Sequence, residues 1–378
     1  MTYRLPFSLA VVAILAGPSA APVGLAQSRS SAEPAAASWN LDRHRELARE
    51  IQKQIGVSGG WRAPRTAWGH PDLEGAWTSD SARGIPRERP AQIGSRLFLT
   101  DEEYAQRVKA DARTLQQAYN AVGAQTGGRD AAWRGEVTFR MSSQIVDPAN
   151  GRMPAVTPDA ENRRASRDRG SFGEGPFNTF DDFTLYDRCI TRGIVGSVLP
   201  VPYGNGNRIV QTPDAFVISY EMIHDTRIIP VNGRPHVGAG LRQLLGDSRA
   251  HWDGDTLIVE TTNFTNKTSI GANGNGLRHS DEMRMTERLT RIADDVLLYD
   301  VTIDDPRTYT RPWTIALPLI SPPGFSTLPY ECHEGNGAIS NILSAERAED
   351  RAIEEDRKNG FIRARRPVQG DINSPPEQ

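Results

Sequence analysis

Lysine and cysteine are nearly absent from this chain. Among 378 residues only Lys53, Lys109, Lys267 and Lys358 are lysine, and only Cys189 and Cys332 are cysteine. Two thiols 143 positions apart make no C-x-x-C pair, so neither a thioredoxin-type redox motif nor a cysteine zinc ribbon is encoded. No run of 18 or more apolar residues occurs, which leaves no membrane-spanning helix. Neither charge dominates: 44 basic against 47 acidic side chains give a net charge of -3. That balance lacks the concentrated basic face of a nucleic-acid binder. Also missing are a P-loop, a G-x-S-x-G elbow, an H-E-x-x-H helix and a dinucleotide fingerprint after a strand. Chemistry must therefore come from constellations rather than from one linear motif.

The N-terminus carries a secretory pattern. Arg4 precedes an apolar stretch from Leu5 to Ala16, closed by Gly17-Pro18, and Gly24 and Ala26 stand at −3 and −1 of a cut before Gln27. A basic start, an apolar segment too short to span a bilayer and small residues at the cut define a signal peptide over residues 1–26. The expected location is the periplasm or the medium. In such an oxidising compartment Cys189 and Cys332 are expected to form one disulfide, the competing reading being a catalytic thiol beside His333.

Beyond an Ala/Ser-rich segment expected to be disordered, residues 41–56 read as a helix capped by Asn40, with Leu41, Leu47, Ile51 and Ile55 as its stripe. Thr100 followed by three acids opens a second helix to about Val122. The last runs from Gly337 to Lys358 and stops at Gly360, ahead of a charged tail. Between them the pattern changes to strands and turns, in keeping with 34 glycines and 26 prolines. Strands are expected at 73–79, 136–146, 208–212, 215–229, 241–252, 255–264, 282–292, 296–304 and 311–319. Asp253-Gly254 is the strongest hairpin signal. The expected fold is mainly β: an antiparallel meander closing into a lipocalin-like β-barrel or a strongly curved sheet, with a few peripheral helices. One β-rich domain is expected over 71–345, followed by the end of the last helix and the tail over 346–378.

Three segments hold the candidate site residues. Alternation along a continuous 215–229 strand puts Tyr220 and His224 on one apolar, inward face and Arg227 on the other. In 330–336 the residues Glu331, His333, Glu334 and Asn336 crowd the start of the last helix, where free N–H groups favour an anion. Asn336 as N-cap and Glu334 as a dipole-matched acid would explain both without function; His333 has no such account. In 242–255 Arg242 and Asp247 are substrate contacts or an ordinary ion pair, and His236 lies in a loop that could close over a ligand. A Cys189–Cys332 bridge would carry His333 and Glu334 toward Asp187, Arg188 and Arg192. His224, His333 and Glu334 are thus the catalytic candidates, and Arg188, Tyr220, Arg227, His236, Arg242 and Asp247 the substrate-binding ones. His224, His236 and His333 could in principle bind zinc, but the histidines offer no i,i+2 or i,i+4 ligand pair, so no metal is assigned, and nothing demands a cofactor.

At 71–78 (PDLEGAWT), 224–236 (HDTRIIPVNGRPH), 246–264 (GDSRAHWDGDTLIVETTNF), 304–314 (DDPRTYTRPWT) and 332–336 (CHEGN) the chain resembles a large family of exported bacterial proteins of unknown function. That resemblance implies export and no particular reaction. Gly75-x-Trp77 also resembles the opening motif of lipocalin-type barrels, a likeness of fold alone. The reading that follows is an exported enzyme that takes a small organic molecule into a β-barrel pocket for acid/base chemistry as lyase, hydrolase or isomerase. The alternative is a lipocalin-like carrier of an apolar ligand.

Overall fold

Ten strands, every pairing antiparallel, make one sheet in the order β5 (226–230), β4 (215–220), β3 (206–211), β1 (75–78), β12 (313–320), β11 (296–304), β10 (284–293), β7 (256–262) and β6 (247–253), with β2 (145–147) paired to β12 beside that path. The computed structural model describes residues 39–122, 139–166, 177–201, 204–272 and 276–365. The signal peptide and the Ala/Ser-rich segment lie outside the described residues. The strands are β1 (Gly75–Thr78), β2 (Ile145–Asp147), β3 (Gly206–Gln211), β4 (Ala215–Tyr220), β5 (Thr226–Pro230), β6 (Asp247–Asp253), β7 (Thr256–Thr262), β10 (Arg284–Ala293), β11 (Val296–Asp304) and β12 (Trp313–Ile320). A separate two-stranded ribbon pairs β8 (Ser269–Ile270) with β9 (Leu277–Arg278). The mainly β expectation holds.

The hairpins form where turn chemistry is explicit. Gly254, at φ 58°, occupies the two-residue turn between paired Asp253 and Thr256. Asp294-Asp295 joins β10 to β11, with a bulge at Arg291–Ala293. Of the expected 136–146 strand, 136–138 lie outside the described residues; in the rest Ile145–Asp147 form the strand and Met141 makes one isolated bridge to Phe98, because Ser142 and Gln144 hydrogen-bond into the 82–97 loop segment instead.

The expected 215–229 strand is corrected more deeply. It breaks after Tyr220 into β4, a one-turn 3-10 helix (Met222–His224) and β5. Ile223 and His224 both take left-handed backbone, φ 68° and 56°. That conformation is uncommon for a β-branched residue and costs roughly 1–3 kcal/mol at each such position. The reversal changes the phase of alternation, so Tyr220 and Arg227 share the buried face and His224 is put out on the turn.

Among the described residues five α-helices accompany the sheet: α1 (Leu41–Gln54), α2 (Asp101–Val122), α3 (Pro158–Ser166), α4 (Gly193–Val198) and α5 (Ala338–Lys358). Asn40 caps α1 by accepting from Arg43 N at 3.0 Å. His44, Leu47, Ala48 and Ile51 are its buried residues, the i, i+3, i+4, i+7 set of one helix face. Asp300 of β11 anchors the helix to the sheet. Its carboxylate meets His44 Nδ1 at 2.5 Å and accepts from Trp39 Nε1 and from Arg288, each at 2.9 Å.

Burial alone would raise the Asp300 pKa, but His44 and Arg288 outweigh it and the carboxyl titrates below its ordinary 3.8. A depressed folded pKa contributes stability that is present above 3.8 and is lost as pH falls toward the folded value. Asp300→Asn is expected to be less stable at pH 7 and to show a shallower loss of stability below about pH 4. Urea unfolding midpoints across pH 2–7 measure both effects; an unchanged acid limb would remove Asp300 from the account.

The other face of the sheet is filled. Trp77, Phe216, Tyr220, Leu257, Val259, Leu289, Tyr299 and Ile315 are all buried there or beside it. A charged knot lies among them. Arg227 of β5 meets Glu287 of β10 with two bonds of 2.9 and 2.6 Å, and also donates to Tyr220 Oη, Ser248 Oγ and Thr261 Oγ1. β5 and β6 are opposite ends of the strand order, yet Arg227 reaches Ser248 at 2.9 Å. No backbone ladder joins those two strands among the described residues.

Candidate functional site

The Cys189–Cys332 bridge is present, with Cα atoms 5.7 Å apart. It ties the short segment 187–192 to the approach of α5, and that segment separates two polar regions. On one side stands the 221–225 turn. Glu221 accepts from Gly206 N and Leu328 N, fixing the turn against the chain that leads to Cys332. His224 Nε2 lies 3.7 Å from Glu331 Oε2, with about half of each side chain exposed. Asp225 accepts from Thr191 Oγ1 at 2.5 Å, and burial holds its carboxyl above the usual range against that hydrogen bond.

His224 therefore does not point into the sheet's interior, as continuous alternation predicts; it faces solvent beside Glu331. His333 and Glu334 are exposed on the turns before α5. Asn336 is not the cap of α5. The cap position is Gly337, without a side-chain bond, and the Asn336 amide donates to Asp187 O and Cys189 Sγ.

On the other side of segment 187–192 opens a cleft of about 1100 Å3. Arg163 of α3, Arg188, Arg242, Lys267 and Arg278 of β9 line it, with Asp181 and Asp182 as the carboxylates among the described lining residues and Asp159 paired to Arg163 at 2.5 Å. Phe183, Leu185, Ile190 and Leu244 supply apolar wall, and Gln243, Thr265 and Asn266 uncharged donors and acceptors. Of the substrate-binding candidates the structure brings Arg188 and Arg242 together here. Each is held by a carboxylate at 3.0 Å, Arg188 by Asp181 and Arg242 by Asp281 rather than by Asp247. The Arg188 guanidinium also stacks over Phe180 at 5.1 Å. Lys267 makes no ion pair among the described residues.

The other four candidates lie elsewhere. Tyr220 and Arg227 belong to the buried knot and face no solvent; burial, with Glu287 nearby, pushes the Tyr220 hydroxyl up to about 12. His236 and Asp247 form a pair of their own. Asp247 Oδ2 accepts from His236 Nδ1 at 2.9 Å and from Val237 N at 3.0 Å, while Oδ1 takes Arg249 at 2.7 Å. Only glycine fits at 246, since a Cβ there would lie 2.5 Å from Thr262 O. Asn263, at φ 59°, donates to the carbonyls of Val237, Gly238 and Leu241 and so pins the loop that delivers Arg242 and Gln243 to the cleft.

Sequence reasoning missed Thr268 and His279. Both are buried, and their side chains meet Oγ1 to Nε2 in a very short hydrogen bond. Thr268 lines a narrow recess with Arg192, Lys267 and Arg278, and that recess shares Leu185, Lys267 and Arg278 with the cleft. Neither residue lies in a motif or on a regular strand face, so only the fold reveals the pair. Among the described residues no group of three or more His, Cys, Asp or Glu side chains is placed to hold a metal ion. The chain matches no protein-family model, no curated protein and no solved structure.

Proposed function

We propose that this protein is an exported enzyme that binds a small anionic organic molecule in the arginine-lined cleft and acts on it by proton transfer. One observation carries the reading: five cationic side chains converge on one cleft of about 1100 Å3, where the described lining residues include two carboxylates and where Asp159 and Asp281 pair with Arg163 and Arg242 from beside it. A large concave site with a few convergent polar groups and some apolar wall is the usual form of a small-molecule site. Arginine forks match carboxylate or phosphate oxygens in pairs, and the Asp181 and Asp281 contacts hold Arg188 and Arg242 ready for that role. His224 beside Glu331 and His236 beside Asp247 are imidazoles with a carboxylate partner, the arrangement of a general base, though both pairs stand outside the residues that line the cleft. Lyase, hydrolase and isomerase chemistry all fit that equipment.

The finer architecture belongs to the same proposal. With Arg227 of β5 bonded to Ser248 of β6, the sheet is read as a barrel closed by side chains rather than by a ladder. Its inside is packed and crossed by an ion pair, which speaks against the carrier reading, since a carrier needs an open apolar lumen there. Periplasmic or secreted location rests on the signal pattern of residues 1–26, and membership of the exported bacterial family on the five quoted motifs.

Calorimetric titration of the purified protein with succinate and citrate tests the site. Saturable binding is expected, weakened by salt because the contacts are ionic. Arg188→Ala and Arg242→Ala are each expected to weaken it roughly tenfold to a hundredfold, the worth of one hydrogen bond to a charged group. Binding that neither substitution alters would place the ligand site elsewhere. Turnover of glycosides, lactones and aromatic esters by the same preparation then assigns the reaction class.

A further inference from the structure

Thr268 and His279 form a buried hydroxyl–imidazole pair at a narrow recess that adjoins the cleft through Leu185, Lys267 and Arg278, and the proposed proton-transfer chemistry gives them no task. His279 is 1% exposed. Its Nδ1 meets Ser280 O at 2.8 Å. A carbonyl oxygen can only accept, so Nδ1 carries the proton and Nε2 is the acceptor. Thr268 Oγ1 must then donate to Nε2, and Leu244 O at 3.4 Å is no more than a neighbour. Burial lowers the His279 pKa, opposed by the Ser280 carbonyl and Asp305, which keeps the imidazole neutral and able to take a proton.

The support beneath is rigid. Ser280 gives Oγ and N to the two oxygens of Asp305 at 2.6 and 2.7 Å, and the Phe264 ring packs edge-on against His279 at 5.4 Å. The hydroxyl side is different: Thr268 lines the recess of about 10 Å3, room for about one water, next to Arg192, Lys267 and Arg278. A hydroxyl bonded to a neutral imidazole whose other nitrogen is fixed has the parts of an activated nucleophile. The cations round the recess put positive charge where a carbonyl oxygen would turn negative.

We infer that Thr268 is a catalytic nucleophile and His279 its base, and that the substrate is a carboxylate-bearing ester or lactone. This rests on the cleft reading, because the arginines hold the substrate's carboxylate. Thr268 Oγ1 bonds to the acyl carbon as its proton passes to His279 Nε2. The bond from acyl carbon to the leaving alkoxide breaks, and the alkoxide takes that proton. A water then adds to the acyl carbon, its proton going to His279; the Thr268 ester bond breaks, Oγ1 recovers the proton, and the carboxylic acid is released.

Acylation by p-nitrophenyl hemisuccinate tests the pair, with the acyl group located by peptide mass mapping and succinate binding measured in parallel. Wild type and Thr268→Ser are expected to carry the succinyl group on residue 268, and Thr268→Val to carry none while folding and binding succinate normally. His279→Gln is expected to slow p-nitrophenol release by about a hundredfold to ten-thousandfold, the usual worth of a general base. The wild-type rate should rise with pH along a curve centred below the ordinary histidine value of 6.5. Acylation of Thr268→Val at the wild-type rate, or a folded wild type that binds succinate but is never acylated, overturns the inference. Acylation at Thr268 without succinate binding upholds the pair and instead defeats the anion cleft.

Discussion

Glu287→Ala is expected to leave the protein largely unfolded at 37 °C or destabilised by about 3–5 kcal/mol, the cost of stranding one partner of a buried ion pair. Glu287 is fully buried and Arg227 nearly so. Arg227 loses water on every side, which by itself would lower its pKa; Glu287 and Tyr220 more than reverse that and raise it. Removing Glu287 leaves a guanidinium with two hydroxyls and a phenol in a dry interior, and takes the partner from Tyr299 Oη as well. Because total stability is only about 5–15 kcal/mol, such a loss dominates the unfolding curve. Replacing both partners with Met or Leu should recover much of it, since apolar replacements leave no charge unmatched. Guanidinium unfolding of the single and double variants measures the difference. A single variant within about 0.5 kcal/mol of wild type, the range of an ordinary surface substitution, would show that the pair holds nothing together.

The same pair shows what could be read from the chain and what could not. The hairpin at Gly254, the two long strands joined at Asp294-Asp295 and helix α1 behind Asn40 were legible because their signals are local: turn residues, alternation, a cap. The 221–225 turn was not. Glu221-Met-Ile-His-Asp contains no glycine or asparagine, and Ile223 takes a left-handed φ that its side chain opposes. With that turn unseen, alternation runs one residue out of phase beyond Tyr220, turning His224 inward and Arg227 away from Tyr220. Arg227 and Glu287 are 60 residues apart, and His44 and Asp300 are 256 apart. No periodicity encodes such partners. At the candidate site the arginines were only half visible: Arg188 and Arg242 stood out by charge, while Lys267, Arg278 and Arg163 reach the cleft through folding. Thr268 and His279 carry no sequence signal, since their chemistry lies in a contact between a strand edge and a loop.

Removing the bridge by Cys189→Ser with Cys332→Ser is expected to lower stability by up to about 5 kcal/mol, from the loop-closure entropy of a 143-residue separation. Geometry makes the consequence local as well as global. Segment 187–192 gives Arg188 to the cleft, Thr191 to Asp225, and Cys189 to both Cys332 and the Asn336 amide. The contacts that also hold the approach to α5 include Leu328 N donating to the Glu221 carboxylate, the Asn336 amide donating to Asp187 O and the half-exposed His224–Glu331 contact, and an exposed ion pair contributes at most about 1 kcal/mol. Without the bridge the chain around His333 should open before the sheet does, because Arg227, Glu287 and Asp300 lie in strands the bridge does not touch. Hydrogen exchange with and without a reductant distinguishes the two levels. Faster exchange confined to 184–192 and 328–345, together with weaker succinate binding, is the expected pattern. Uniform acceleration across β10 and β11 would mean instead that the bridge acts on the unfolded chain alone and that segment 187–192 keeps its place without it.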